Sequence, residues 1–171
     1  AQRREERTAD LISALAFAEV DGERLADDEI LMFCMTLLVA GNETTRNLIA
    51  GGARALMRFP DQRRRLLAEP ALLPNAVDEM LRFVTPVKTF ARTATQDTTL
   101  RGQRIAAGDY VVLLYASANR DEEVWGPDAD RFDVGRAPDP GHLAFGIGPH
   151  SCLGANLARL ETRVLFEELF R

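Results

Sequence analysis

The segment Phe145-Gly146-Ile147-Gly148-Pro149-His150-Ser151-Cys152-Leu153-Gly154 sets a single cysteine in a glycine-rich turn just ahead of an amphipathic run. A thiol stays deprotonated where positive potential and N–H donors surround it, and a tight loop feeding a helix N-terminus supplies both. Gly148 and Gly154 permit close backbone approach, and Phe145 is placed to cover one side. A lone buried cysteine ordinarily reads as a small inert hydrophobe. Packing alone requires neither the apolar cover nor the Gly-Xaa-Gly ahead of the cysteine, so the pattern selects a thiolate held as a metal ligand.

A second informative stretch is a long helical pattern. Asp27 or Asp28 suits its cap, Glu29 its first turn, and Pro60 stops it after Phe59. That gives about 30 residues and roughly 45 Å at 1.5 Å per residue, enough to cross a domain. Ile30 to Ala40 is apolar on nearly every face, which predicts burial. Into its centre the sequence places Ala40-Gly41-Asn42-Glu43-Thr44-Thr45. Glycine at mid-helix costs up to about 1 kcal/mol, and buried polar groups cost more unless their hydrogen bonds are met. Thr44 is spaced to bond back to the carbonyl of Ala40 and open a groove beside Gly41. Taken alone this describes a self-satisfied threonine in a kinked core helix; conflict between levels of structure is also where function is expected.

A third stretch, Leu73 to Val84, carries Glu79 and Arg82 on one helix face. Taken alone they read as a surface pair contributing about 0.2–0.5 kcal/mol.

Together these segments resemble the haem-thiolate monooxygenases of the cytochrome P-450 family, whose signature runs Phe-Gly-x-Gly-x-His-x-Cys-x-Gly. All of its fixed positions are met, by Phe145, Gly146, Gly148, His150, Cys152 and Gly154. The resemblance implies a haem b cofactor with iron ligated by Cys152, and contacts to it from Ala40, Gly41, Phe145, Gly146 and Gly154. Arg92 and His150 would meet the propionates. It implies that Thr44 and Glu43 bind dioxygen and deliver protons to it. Glu79 and Arg82 would be buried behind the loop, joined by Arg131 from the meander Trp125-Gly126-Pro127-Asp128-Ala129-Asp130-Arg131-Phe132. Bidentate carboxylate–guanidinium contact is directional enough to hold an irregular loop. Leu38, Val39, Val87, Thr89 and Phe90 would line an apolar substrate pocket.

The fold implied is mainly α with a small antiparallel β-sheet, the C-terminal portion of the cytochrome P-450 fold. Thr8 to Ala18 reads as a helix end, Asp21-Gly22 as a turn, and Asp61 to Ala68 as a helix. Lys88 to Leu114 reads as the sheet, with turns at Arg101-Gly102 and Ala107-Gly108-Asp109, and Asn119 to Leu143 as a long meander. All matches fall in the C-terminal half of a family whose chains are more than twice this long. Residues 1–171 are therefore expected to be a partial domain lacking N-terminal helices and a short C-terminal β region.

At 171 residues, 46% hydrophobic and 27% charged, the composition is globular. A net charge of −5 argues against nucleic acid, and two histidines are too few for a histidine-built metal site. Cys34 and Cys152 stand far apart, in neither zinc nor disulfide spacing, and fit a reducing compartment. Cys34 reads as packing. The longest apolar run is too short to span a bilayer.

The function implied is hydroxylation of a lipophilic small molecule with O2 and electrons from NAD(P)H. A ferredoxin or flavodoxin-type donor would carry them, steered by Arg159 and Arg163, in the cytoplasm. Segment by segment the sequence looks most similar to bacterial members acting on steroid side chains or terpenoid-like lipids. A peroxygenase or isomerase on the same fold would not need Glu43 and Thr44 as a relay. A non-catalytic haem-binding or structural fragment is the reading from another class.

Overall fold

The computed structural model describes residues 6–137 and 139–171. The chain forms two compact units whose boundary falls between Glu43 and Thr44.

In the first unit, helix α1 (Leu11–Phe17) is capped by Asp10, whose carboxylate accepts the Ser13 N–H at 2.8 Å. Strands β1 (Glu19–Val20) and β2 (Glu23–Arg24) pair antiparallel around Asp21 and Gly22, at φ +52° and +84°. Positive φ at both central residues is the two-residue hairpin turn that Asp-Gly favours. The turn was legible; the strands were too short to show alternation.

Helix α2 (Asp27–Arg58) runs unbroken past Gly41. Its cap is Ala26 rather than either aspartate: the Ala26 carbonyl accepts the Ile30 N–H at 3.1 Å, and the Ala26 N–H donates to the Glu29 carboxylate at 2.7 Å. That is the reciprocal half of a capping box, with Asp27 and Asp28 in a first turn that favours negative charge. The apolar stretch is not covered as its composition predicts. Leu31, Met32, Met35, Leu38 and Val39 are all exposed.

The second unit holds the core. Helix α3 (Pro60–Ala68) starts immediately after α2 because proline fits a first helical position. A 3-10 turn at Pro70–Leu72 leads into helix α4 (Leu73–Val84), as spaced in the sequence. Seven of its residues are buried, among them both Glu79 and Arg82. Gly51 and Gly52 of α2 let the two helices touch: a Cβ on Gly51 would sit 2.6 Å from Val84 Cγ1, and one on Gly52 would sit 2.6 Å from Met80 Sδ.

Strands β3 (Thr89–Thr93) and β6 (Tyr110–Leu114) pair antiparallel, as do β4 (Thr98–Leu100) and β5 (Gln103–Ile105). The expected sheet is thus two separate two-stranded ribbons. Short helices α5 (Tyr115–Ala118) and α6 (Glu122–Trp125) introduce the meander. The cysteine loop follows, with a 3-10 turn at Gly148–His150, and leads into α7 (Ala155–Leu169). Helix α7 buries Thr162 and Phe166 in this unit, whereas Leu157 and Leu169 on its leucine-rich face, and Leu153 just ahead of it, are exposed. Among the described residues no helix is long and apolar enough to cross a membrane.

The α2–α4 crossing makes a direct test. Gly51→Ala gains about 1 kcal/mol of helix propensity but overpacks a stiff valine at a cost of about 1–3 kcal/mol. Urea unfolding should show net destabilisation, whereas Gly41→Ala, whose added Cβ meets nothing within 4 Å among the described residues, should stabilise.

Candidate functional site

Helix α4 organises the site through adjacent carboxylates. The first, Glu79, is 3% exposed and grips Arg82, itself 1% exposed, in a fork: Nε donates to Oε2 at 2.7 Å and Nη2 to Oε1 at 2.9 Å. The remaining guanidinium hydrogens go to backbone carbonyls of Asn119 (2.7 Å), Ala129 (2.8 Å) and Arg131 (2.9 Å). All five N–H donors of Arg82 are therefore used. Glu79 Oε1 also accepts the Asp133 N–H at 2.9 Å and Arg136 Nε at 3.4 Å. Arg136 continues to the Asp128 carboxylate at 3.3 Å, so the chain Arg82, Glu79, Arg136, Asp128 sums to zero charge. The Asp128 pKa is lowered by that hydrogen bond and by the Arg136 charge.

The third cation on Glu79 is thus Arg136, which replaces the expected Arg131. Phe132, Val134 and Arg136 share the inward side of the meander, and Arg131 falls out of step and is exposed. It serves the network through its backbone carbonyl, which also accepts Arg136 Nη2 at 3.1 Å. Alternation around Phe132 was the signal available for Arg136.

Thr85 and Asn119 belong to the same buried cluster and were not singled out in the sequence. Thr85 ends α4 at φ +43° and donates its hydroxyl to the Arg82 carbonyl at 2.7 Å. Asn119, fully buried, donates its amide to Thr85 Oγ1 at 2.9 Å and accepts the Leu143 N–H at 2.7 Å. It joins the arginine network to the start of the cysteine loop.

The second carboxylate is Asp78. Its Oδ1 receives Arg159 Nε at 2.8 Å and His142 Nε2 at 3.2 Å. The His142 Nδ1 accepts the Ala144 N–H at 3.2 Å, which assigns the ring proton to Nε2 and makes the ring the donor to Asp78. Desolvation acts to raise the Asp78 pKa, but the hydrogen bonds from His142 and Arg159 and the Arg159 charge outweigh it and hold it below 3.8. A folded-state pKa below the unfolded value contributes stability that is present above about 3.8 and lost as pH falls through the lowered value.

The loop itself is a string of short turns. Gly146 donates to the Leu143 carbonyl and Ser151 to the Gly148 carbonyl, each at 3.0 Å, and Cys152 donates to the Phe145 carbonyl at 2.9 Å. Gly146 and Gly148 stand at φ +70° and +78°, open to glycine without strain. Cys152 is exposed, three residues before the first residue of α7, and a Cβ on Gly154 would lie 4.0 Å from its sulfur. Ile147 and Leu153 of the same loop are 75% and 81% exposed. An exposed thiol on a loop that also carries bare apolar side chains has the chemistry to suit a flat, largely apolar macrocycle ligated through sulfur.

The other sequence-nominated residues lie as follows. His150 is exposed on the loop, and Arg92 is exposed on β3 with Nη1 on the Ala91 carbonyl at 2.8 Å. Thr89 and Phe90 of β3 are exposed, and Val87 is half-buried. Leu38, Val39, Ala40, Gly41, Glu43 and Thr44 all lie on α2, with Leu38 through Glu43 exposed and Thr44 half-buried. Arg159 and Arg163 are engaged, the first on Asp78 and the second with Glu167 at 3.4 Å.

A mainly helical unit thus sets an exposed cysteine on a loop tied to a buried carboxylate–arginine network. The sequence matches the cytochrome P450 family over residues 1–171, and the chain belongs to that family. It is 46% identical over 170 residues to a steroid C26-monooxygenase of Mycolicibacterium smegmatis, covering 99% of this chain and 42% of that one. It is 54% identical over 171 residues to a methyl-branched lipid omega-hydroxylase of Mycobacterium bovis, covering 99% and 40%. Among solved structures it resembles CYP109E1 from Bacillus megaterium in complex with testosterone, with TM-score 0.93, 42% identity and coverage of 98% and 46%. The chain spans less than half the length of each of these relatives.

Arg131 and Arg136 are separable by substitution. Arg136→Ala strips a buried cation from Glu79 and should cost about 1–3 kcal/mol in urea unfolding, with loss of bound haem. Arg131→Ala leaves its carbonyl in place and should stay within about 0.5 kcal/mol.

Proposed function

We propose that this chain is the haem-binding C-terminal portion of a cytochrome P450 monooxygenase that hydroxylates a lipophilic small molecule in the cytoplasm. The observation carrying this reading is Cys152: an exposed thiol whose backbone is pinned to Phe145 and whose loop is anchored to α4 and α5.

Cys152 would hold the iron of haem b, Arg92 and His150 would bind its propionates, and Phe145, Gly146 and Gly154 would contact it; the resemblance nominates Ala40 and Gly41 of α2 as well. Haem bound in this way supplies the centre at which dioxygen is reduced, with thiolate donation favouring O–O cleavage. Glu79, Arg82 and Arg136 hold the loop. Thr44 orients a proton at its hydroxyl and Glu43 passes protons to it from solvent, two groups in sequence acting as a relay. That relay favours a monooxygenase over a peroxygenase or isomerase, which needs no timed protons.

The residues that the resemblance nominates for substrate, Val87, Thr89 and Phe90 and separately Leu38 and Val39, are mainly apolar, which suits a steroid or a methyl-branched lipid, the classes for which similar proteins are named. Electrons would come from NAD(P)H through a ferredoxin or flavodoxin-type donor. Residues 1–171 would need the remainder of the protein for turnover.

Two substitutions in the full-length protein test this. Cys152→Ala should abolish the red-shifted band of the ferrous carbonyl complex together with hydroxylation; survival of the band removes the ligand assignment. Thr44→Ala should still bind substrate and consume NAD(P)H, but divert the electrons to hydrogen peroxide. An unchanged ratio of product to NAD(P)H in that variant would refute the relay.

A further inference from the structure

Asp78, His142, Phe145 and Arg159 form one assembly that joins α4, α7 and the cysteine loop. Arg159 and His142 converge on one oxygen of Asp78, and both also meet the Phe145 ring. The Arg159 Cζ stands 4.7 Å from the ring centroid, and the His142 ring centroid lies 5.6 Å away. The cation over the ring face is attracted by its quadrupole. Phe145 is also the residue whose carbonyl accepts the Cys152 N–H at 2.9 Å. Arg159 of α7 and His142 therefore hold the ring, Asp78 of α4 holds both of them, and the Phe145 backbone holds the cysteine.

Asp78, His142, Phe145 and Arg159 line one cavity of about 330 Å³ together with Cys152. Glu79, Arg82 and Arg136 line the same cavity, so the ion pair and Cys152 share it with the buried network. Charges facing a common cavity interact more strongly than they do through bulk water, while partial exposure of Asp78 and Arg159, 32% and 40%, keeps the effect moderate.

We propose that Asp78 and Arg159 are positioning residues that set the electron affinity of the iron ligated by Cys152, acting with opposite sign through the clamped Phe145 and the shared cavity. The inference rests on the reading of Cys152 as the iron ligand. The equilibrium concerned is addition of one electron to ferric iron to give ferrous iron, with no proton exchanged at the clamp. Asp78 places negative charge on the proximal side and disfavours the added electron. Arg159 offsets it. His142 orients Asp78 through the bond from its Nε2.

The test is potentiometric titration of the full-length haem-loaded protein at neutral pH with mediator dyes. Asp78→Asn, which keeps shape and removes charge, should favour the ferrous form by at least about threefold, about 28 mV at 59 mV per decade. Arg159→Gln should favour the ferric form by a similar factor. The double variant should return to within about twofold of the parent. Loosening of the loop would move both single variants in the same direction, so shifts of one sign, or no shift, overturn the proposal. If Asp78→Asn loses haem, Arg159→Lys decides against Arg159→Gln: retained charge should keep the parental potential, and equal potentials in the two variants overturn it. The parent's ferrous carbonyl spectrum separates the two levels. Absence of the thiolate band removes the ligand reading and this proposal with it, whereas a normal band with unmoved potentials removes the proposal alone.

Discussion

Everything near the cysteine depends on one guanidinium whose five N–H groups each have an acceptor. A buried ion pair is weak evidence for stability, because removing two charges from water costs several kcal/mol per ion. Here the desolvation is offset by number and direction. Glu79 holds four donors, and Arg82 reaches three carbonyls that belong to two distant turns of the chain. The carbonyls of Asn119, Ala129 and Arg131 lie at the end of α5 and in the turns after α6, where the backbone has fewer partners of its own than inside a helix or sheet. Arg82 therefore serves as the partner that a sheet or helix would otherwise supply. A lysine could not substitute, since a point charge with three donors cannot meet a carboxylate and three carbonyls in one plane.

Helix α4 then divides two tasks between neighbouring residues. Glu79 points with Arg82 into the meander, and Asp78, about 100° around the helix, meets α7 and the cysteine loop. Because α4 is itself fixed by contact with Gly51 and Gly52, its two carboxylates stand at a constant separation. The loop and the meander are thus referred to one rigid element rather than to each other. Asn119 closes the circuit, taking the Arg82 network on its carbonyl and the Leu143 N–H on its side chain.

How much of this was legible follows from which signals are local. The bounds of α4, the turn glycines and the cysteine loop follow from short-range chemistry, such as Pro74 near a helix start or glycine at positive φ, and are read directly from residues. The burial of Glu79 and Arg82 was not local; it came through resemblance, since spacing alone describes a surface pair equally well. Arg136 was missed because choosing between two meander arginines requires knowing which side of an irregular segment faces inward. Asn119 and Thr85 were missed because nothing in an isolated asparagine or threonine announces zero exposure. Leu31 to Val39 and the leucine face of α7 show the converse: hydropathy marks what is apolar, and whether it is covered depends on partners the pattern does not name.

The cysteine loop shows why such an external frame is required. Its internal hydrogen bonds are few, and two of its glycines occupy positive φ, where the unfolded chain has most freedom to lose. A loop of this kind has no intrinsic preference strong enough to hold a sulfur within the tolerance that ligation demands. Its geometry must be set by what it touches. Three anchors do this from three directions: Asn119 at Leu143, the Asp78 assembly at Phe145, and the first turn of α7, where Ala158 donates to the Gly154 carbonyl at 2.9 Å. Cys152 lies between the second and third, bonded to one and three residues ahead of the helix, so its freedom is limited at both ends. A thiol constrained at both ends and left exposed meets the geometric requirement of the proposed haem ligation, which a packing cysteine does not need.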